Sequence, residues 1–126
     1  MKRLVLSLVL LGVVLLVCYY GVSFVTSTYK EITNQLDLGT EYAKNENFKA
    51  AQEHIKKAEK LYTSREQFMA AFVNHGILDE IGQTISGVAP LANKDSLPEF
   101  FSLMSEAKTA LAHLRNDHIF LIGNLF

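Results

Sequence analysis

Two pairs of side chains carry the spacing of metal ligands or acid–base partners. His75 and Asp79 are four residues apart, and so are His113 and Asp117. Residues four apart share one face of a helix, so each pair would offer an imidazole and a carboxylate to the same side. If the two helices ran antiparallel, the pairs would meet as a four-ligand nitrogen and oxygen site. The competing account is a hydrogen-bonded polar layer, or plain solvent exposure, since two such pairs arise easily by chance. On that balance the expectation is that His75, Asp79, His113 and Asp117 form no functional metal site, and that no cofactor is held.

Other chemistry finds no footing. The H-E-x-x-H and G-x-S-x-G patterns are absent, and Gly82 and Gly87 lie in apolar surroundings without the Lys-Ser/Thr that follows a phosphate-cradling loop. The single cysteine, Cys18, excludes an internal disulfide or a thiolate metal site and reads as a small apolar side chain. Lys+Arg number 12 against 13 Asp+Glu, so nucleic acid is not an expected partner, because phosphate binding needs a clustered basic face. Lys56, Lys57 and Lys60 are offset by Glu53 and Glu59, as on a solvated face. The chain reads as non-enzymatic.

The elements that would position these residues divide sharply. From Leu4 to Val25 there are 22 residues without a charge, 18 of them apolar. As a helix they would reach about 33 Å, enough for a hydrocarbon core of about 30 Å. Seven Leu, seven Val and one Phe contribute about −6 kcal/mol to insertion, before losses at Ser7, Gly12, Gly21 and Ser23. Lys2 and Arg3 precede the run, while Lys30 and Glu31 after it cancel. The positive-inside rule then predicts a single-pass protein of the cell membrane, N-terminus cytoplasmic and the rest outside. The partition expected is 1–27 as stub and anchor, with the lipid bilayer as partner through residues 4–25, and 28–126 as an extracytoplasmic helical domain. The alternative is a signal peptide cleaved near Gly21 and Ser23, which would leave a secreted helical binding domain; the run's continuation through Phe24 and Val25 favours the anchor.

The remainder is expected to be all-α, a small up-and-down helical bundle after the transmembrane helix. A first helix, 28–44, either separate from the anchor or continuous with it, carries Tyr29, Ile32, Leu36, Gly39 and Ala43 at spacings of three and four. Asn45-Glu46-Asn47 is a polar turn. A second helix spans 48–90, with Phe48, Ala51, Ile55, Ala58 and Tyr62 on one face and the stripe continuing through Met69, Phe72, Ile77, Ile81 and Ile85. A fresh start at Ser64, capped with Gln67, is the other reading of this stretch. Gly76, Gly82 and Gly87 mark either close packing or a weaker half. A third helix, 96–118, opens on a Ser96/Glu99 capping box with Pro98 in its first turn. It carries a heptad seam of Leu97, Phe100, Met104, Ala107, Leu111, Leu114, His118, Leu121 and Leu125. Ile55, Tyr62, Phe72, Ile81, Phe100, Met104, Leu111 and Leu114 are the expected core. The closing segment is a candidate contact surface, or the support of one, because Ile119, Phe120, Leu121, Ile122, Leu125 and Phe126 are costly to leave in water.

Two resemblances add to this. Leu38-Gly39-Thr40-Glu41-Tyr42 resembles the L-G-x-x-Y of a tetratricopeptide unit, and Ala51, Ile55 and Ala58 fit its second helix. Gln35 stands where Trp is expected and Thr63 where Pro is, and no second copy follows, so the likeness implies a helical hairpin and not a peptide-binding array. A second resemblance covers essentially the whole chain. Asn47-Phe48-Lys49-Ala50-Ala51, Tyr62, His75 with Asp79-Glu80-Ile81, and His113-Leu114 with Asn124-Leu125-Phe126 resemble the bacterial family catalogued as domain of unknown function 4363. Phe48 and Tyr62 depart from it where Trp is usual. The resemblance implies a membrane-anchored helical protein and no activity. An interaction or accessory module for another membrane protein, or for a second copy of itself, is the function expected.

Overall fold

In the computed structural model the backbone is described for residues 1–71 and 73–125, with side chains described as far as Leu114 beyond the last bend. The described residues form helices and connections without strands. Four α-helices follow one another: α1 (Lys2–Lys44), α2 (Phe48–Met69), α3 (His75–Val88) and α4 (Leu97–Leu125), with a 3-10 turn at Ala89–Leu91.

Helix α1 is one helix of 43 residues with two environments. Up to Tyr20 its large apolar side chains are exposed, Leu4 by 70% and Leu16 by 57%. Such a face is stable only in an apolar medium or against a partner, because water-exposed leucine at every turn forfeits its transfer free energy. From Gly21 onward a stripe at steps of three and four is buried: Gly21, Val25, Thr28, Ile32, Leu36, Gly39 and Ala43. Helix α1 passes unbroken through residue 27, so its exposed apolar half and its buried half share an axis.

Asn45–Asn47 reverses the chain. Glu46 takes a left-handed φ of 62° that glycine would adopt without cost. Asn47 then caps α2, its side chain accepting from the Ala50 amide at 3.3 Å. Helix α2 lies antiparallel on α1, as contacts at both ends of the pair require: Phe24 meets Phe68, and Gly39 meets Ala51 and Ile55. At Gly39 an added Cβ would stand 2.9 Å from Ile55 Cγ1, so the glycine sets how closely the two helices approach. This is the helical hairpin implied by the L-G-x-x-Y likeness.

The single helix expected over 48–90 is not formed. Helix α2 ends at Met69, and α3 begins at His75 with Asn74 as its cap, the Asn74 side chain accepting from the Gly76 amide at 2.7 Å. The reason is length. A helix over 48–90 would run about 64 Å, against about 36 Å for the stretch of α1 available to pack on it. The apolar face of Leu78, Ile81, Ile85 and Val88 would then have no partner; turning back buries all four. Nor does Ser64 start a helix, since its hydroxyl donates to the Leu61 carbonyl at 2.8 Å inside α2.

Gly82 and Gly87 sit at close crossings, under the Tyr62 ring and a Leu103 methyl, while Gly76 lies in the first turn of α3 beside Asn74. Asn93 organises the return to α4. It donates to the Pro90 carbonyl and accepts from the Ser96 amide at 2.8 Å, the amide that Glu99 would have capped in the expected box. Helix α4 starts at Leu97 and continues past 118 to Leu125. Phe100, Met104, Ala107, Leu111 and Leu114 of its seam are buried, as are Ile55, Tyr62 and Ile81; Phe72 lies outside the described residues. Four helices in up-and-down order thus enclose one core.

Candidate functional site

Among the described residues, three groups of polar side chains stand as candidates for chemistry, and they converge on no single point. The first lies in the α1–α2 seam. Arg65 of α2 donates to Thr28 Oγ1 at 3.1 Å and pairs with Glu31 at 2.8 Å, its guanidinium 5.7 Å from the Phe24 ring centroid. Closer to the turn, His54 Nδ1 lies 2.8 Å from Gln35 Oε1 and the imidazole stacks on Tyr42 at 5.2 Å. These contacts fix the register of the hairpin. Arg65 and His54 were not singled out from sequence, because their partners are 34 and 19 residues away.

The second group sits at an open groove between α2 and α3, lined by Glu59, Tyr62, Thr63, Glu66, Asp79 and Gln83 among others. Three carboxylates edge it, yet the chemistry is restrained. The Tyr62 hydroxyl donates a hydrogen bond to the Leu78 carbonyl. Burial, then the charges of Glu66 and Asp79, push its pKa well above the ordinary tyrosine range. Tyr62 is therefore a protonated strut between α2 and α3 and not a base or nucleophile.

The third group is the sequence-derived His/Asp pairs, and their described members are not brought together in one place. His75, Asp79 and His113 are all exposed. Asp79 opens into the α2–α3 groove, whereas His113 lines a separate groove between α3 and α4 with Glu80, Ser105 and Glu106. The Asp117 side chain lies outside the described residues. Among the described residues no group of three His, Cys, Asp or Glu is gathered as a metal would require.

The contact segment Ile119, Phe120, Leu121, Ile122 and Leu125 belongs to α4, with side chains outside the described residues, and Phe126 lies outside them altogether. What remains as a functional feature is the length of exposed apolar helix ahead of the bundle. It is the one helix among the described residues long and apolar enough to cross a membrane, and a signal sequence would share that character.

Comparison with known proteins agrees with the resemblance read from the residues. The family model described as Domain of unknown function (DUF4363) matches residues 19–125. No curated protein and no solved structure matches the chain.

Proposed function

The chain belongs to the family that shares domain of unknown function 4363, and we propose that it is a non-enzymatic, single-pass membrane protein whose helical bundle acts by contact with another membrane protein. The observation that carries this is α1 itself. The exposed apolar half runs into the buried half without a break, so the bundle is held on a stiff extension of the span. A flexible linker, the usual device for a domain that only needs to be kept nearby, is absent between residues 2 and 44.

Lys2 and Arg3 support a cytoplasmic N-terminus and a bundle on the outer face. Cleavage near Gly21 or Ser23 fits less well, because Gly21 and Val25 are buried with the bundle and a cut there would open its edge. The closing segment 119–126 supports a contact role: α4 starts at the far end of the bundle and runs back toward the anchor, carrying large apolar residues with it.

The test is fractionation followed by mild solubilisation. The protein should stay with membranes after alkaline carbonate washing and begin at its encoded N-terminus. Protease added to intact protoplasts should cut near Lys56. A reproducible partner should co-purify in mild detergent and be lost on deleting Gly123–Phe126. A mature chain starting near Phe24 would replace this reading with a secreted domain.

A further inference from the structure

After Val25, the longest unbroken run of apolar residues is Phe68-Met69-Ala70-Ala71-Phe72-Val73. Such runs normally lie in elements that bury them. Here the run covers the end of α2 and its connection to α3, where a bundle surrounded by water carries polar residues. Met69 is buried, but Phe68 is 55% exposed and Ala71 is exposed as well. No Lys, Arg, Asp or Glu occurs between Glu66 and Asp79.

The height of this connection is fixed by contacts. The Phe68 ring lies 4.5 Å from that of Phe24, inside the uncharged stretch Leu4–Val25. Since α1 and α2 are antiparallel, the end of α2 just after Phe68 stands level with the residues just before Phe24. Arg65, on the other side of Phe68, directs its guanidinium away from the run to Thr28 and Glu31. The backbone is also suited to a dry setting. The amides of Ala70, Ala71 and Val73 donate to the carbonyls of Glu66, Phe68 and Met69 at 2.9, 3.2 and 2.9 Å, so they require no water.

The geometry points to a second membrane contact: the end of α2 and the start of its connection, Phe68 to Ala71, seat in the interfacial layer of the same bilayer that holds α1, their ligand the boundary between headgroups and acyl chains. This rests on the reading of Leu4–Val25 as a membrane span, with which the connection is continuous in height. The bundle then sits on the bilayer surface, and its α2–α3 end is covered by lipid.

The chain has no tryptophan, so single-tryptophan variants report cleanly. The full chain is reconstituted in phosphatidylcholine–phosphatidylglycerol vesicles as Phe68→Trp and Ala71→Trp, with Leu11→Trp in mid-span and Tyr42→Trp at the far end as references. Phe68→Trp and Ala71→Trp should emit to the blue of Tyr42→Trp, resist aqueous acrylamide, and be quenched by lipids bearing a nitroxide near the headgroup. Leu11→Trp should be quenched by a nitroxide deep in the acyl chain. If Leu11→Trp is quenched while Ala71→Trp behaves like Tyr42→Trp, the anchor stands and the second contact is wrong. Protection from acrylamide without lipid quenching means that protein covers the connection, and it overturns the proposal too. If Leu11→Trp escapes the deep quencher, anchor and contact fall together.

Discussion

At the scale of single residues, two small features hold the helices in place. Gly39 lets α1 and α2 touch, and its replacement sets a propensity gain against a steric loss. Alanine in mid-helix gains about 1 kcal/mol over glycine, but its Cβ would stand 2.9 Å from Ile55 Cγ1, which moves away only if a β-branched side chain leaves its preferred helical rotamer or the helices separate. Overpacking of this kind costs about 1–3 kcal/mol. Gly39→Ala should therefore lower stability, whereas Gly12→Ala, with nothing within 4 Å of the new atom, should not; thermal unfolding followed by circular dichroism separates them. The Tyr62 hydroxyl is the other feature. Tyr62→Phe should cost about 1 kcal/mol, the net worth of one hydrogen bond between α2 and α3, and a denaturant midpoint unchanged from the parent would show that the bond to Leu78 contributes nothing. Gly39 was legible in sequence through the motif around it, and Tyr62 through its place on an apolar face. The partnerships of Arg65 and His54 were not, since a charge or an imidazole on a surface does not name a partner on another helix.

At the scale of elements, the turn and the seams decide the topology. Glu46 holds a backbone conformation that costs a side-chain-bearing residue about 1 kcal/mol. Glu46→Gly should accordingly raise stability by about 0.5–1 kcal/mol, readable as a higher melting temperature. Leu111 is fully buried in the α4 seam, and Leu111→Ala should cost about 2–5 kcal/mol; a loss under about 0.5 kcal/mol would place the seam in water. This seam was the most legible element, because every step of three or four from Phe100 to Leu114 falls on a buried residue. The end of α2 was legible only in part. Its apolar stripe continues in phase into α3, so periodicity alone runs the two together, and the Ser64/Gln67 pair drew attention to a break that the chain does not make. The working signal is Asn74, a single capping residue whose force comes from the length of α1 available for packing. The His/Asp pairs show the limit on sites: spacing of four fixes a face of one helix, but not which groove that face opens into.

At the scale of the whole molecule, α1 joins two environments that composition separates cleanly. The boundary between exposed and buried falls near Gly21, several residues before the charged flank at Lys30 and Glu31. Hydropathy locates an apolar run but not the first helix contact, and the two overlap here through Phe24 and Phe68. An overlap of this kind predicts coupled behaviour. Replacing Phe24 with Asp should both weaken retention in membranes, by about 2.5–3.5 kcal/mol for a charge at full depth and less near the boundary, and loosen the α1–α2 hairpin. Carbonate extraction and hydrogen exchange on α2 should change together; a change in one alone would separate anchor from bundle.

The unbroken α1 also governs azimuth. A bundle on a loose string can spin about its attachment and present any side to its neighbours. On a continuous shaft, the side of the apolar half that meets a neighbouring helix dictates the side of the bundle that faces the same way. One residue of helix is about 100° of rotation, so a single alanine inserted between Val17 and Cys18 would turn the apolar half of α1 by that angle against the bundle while leaving the described bundle contacts intact. Two faces now in register would be pulled out of it, and a lateral complex that engages both should dissociate although each half still folds.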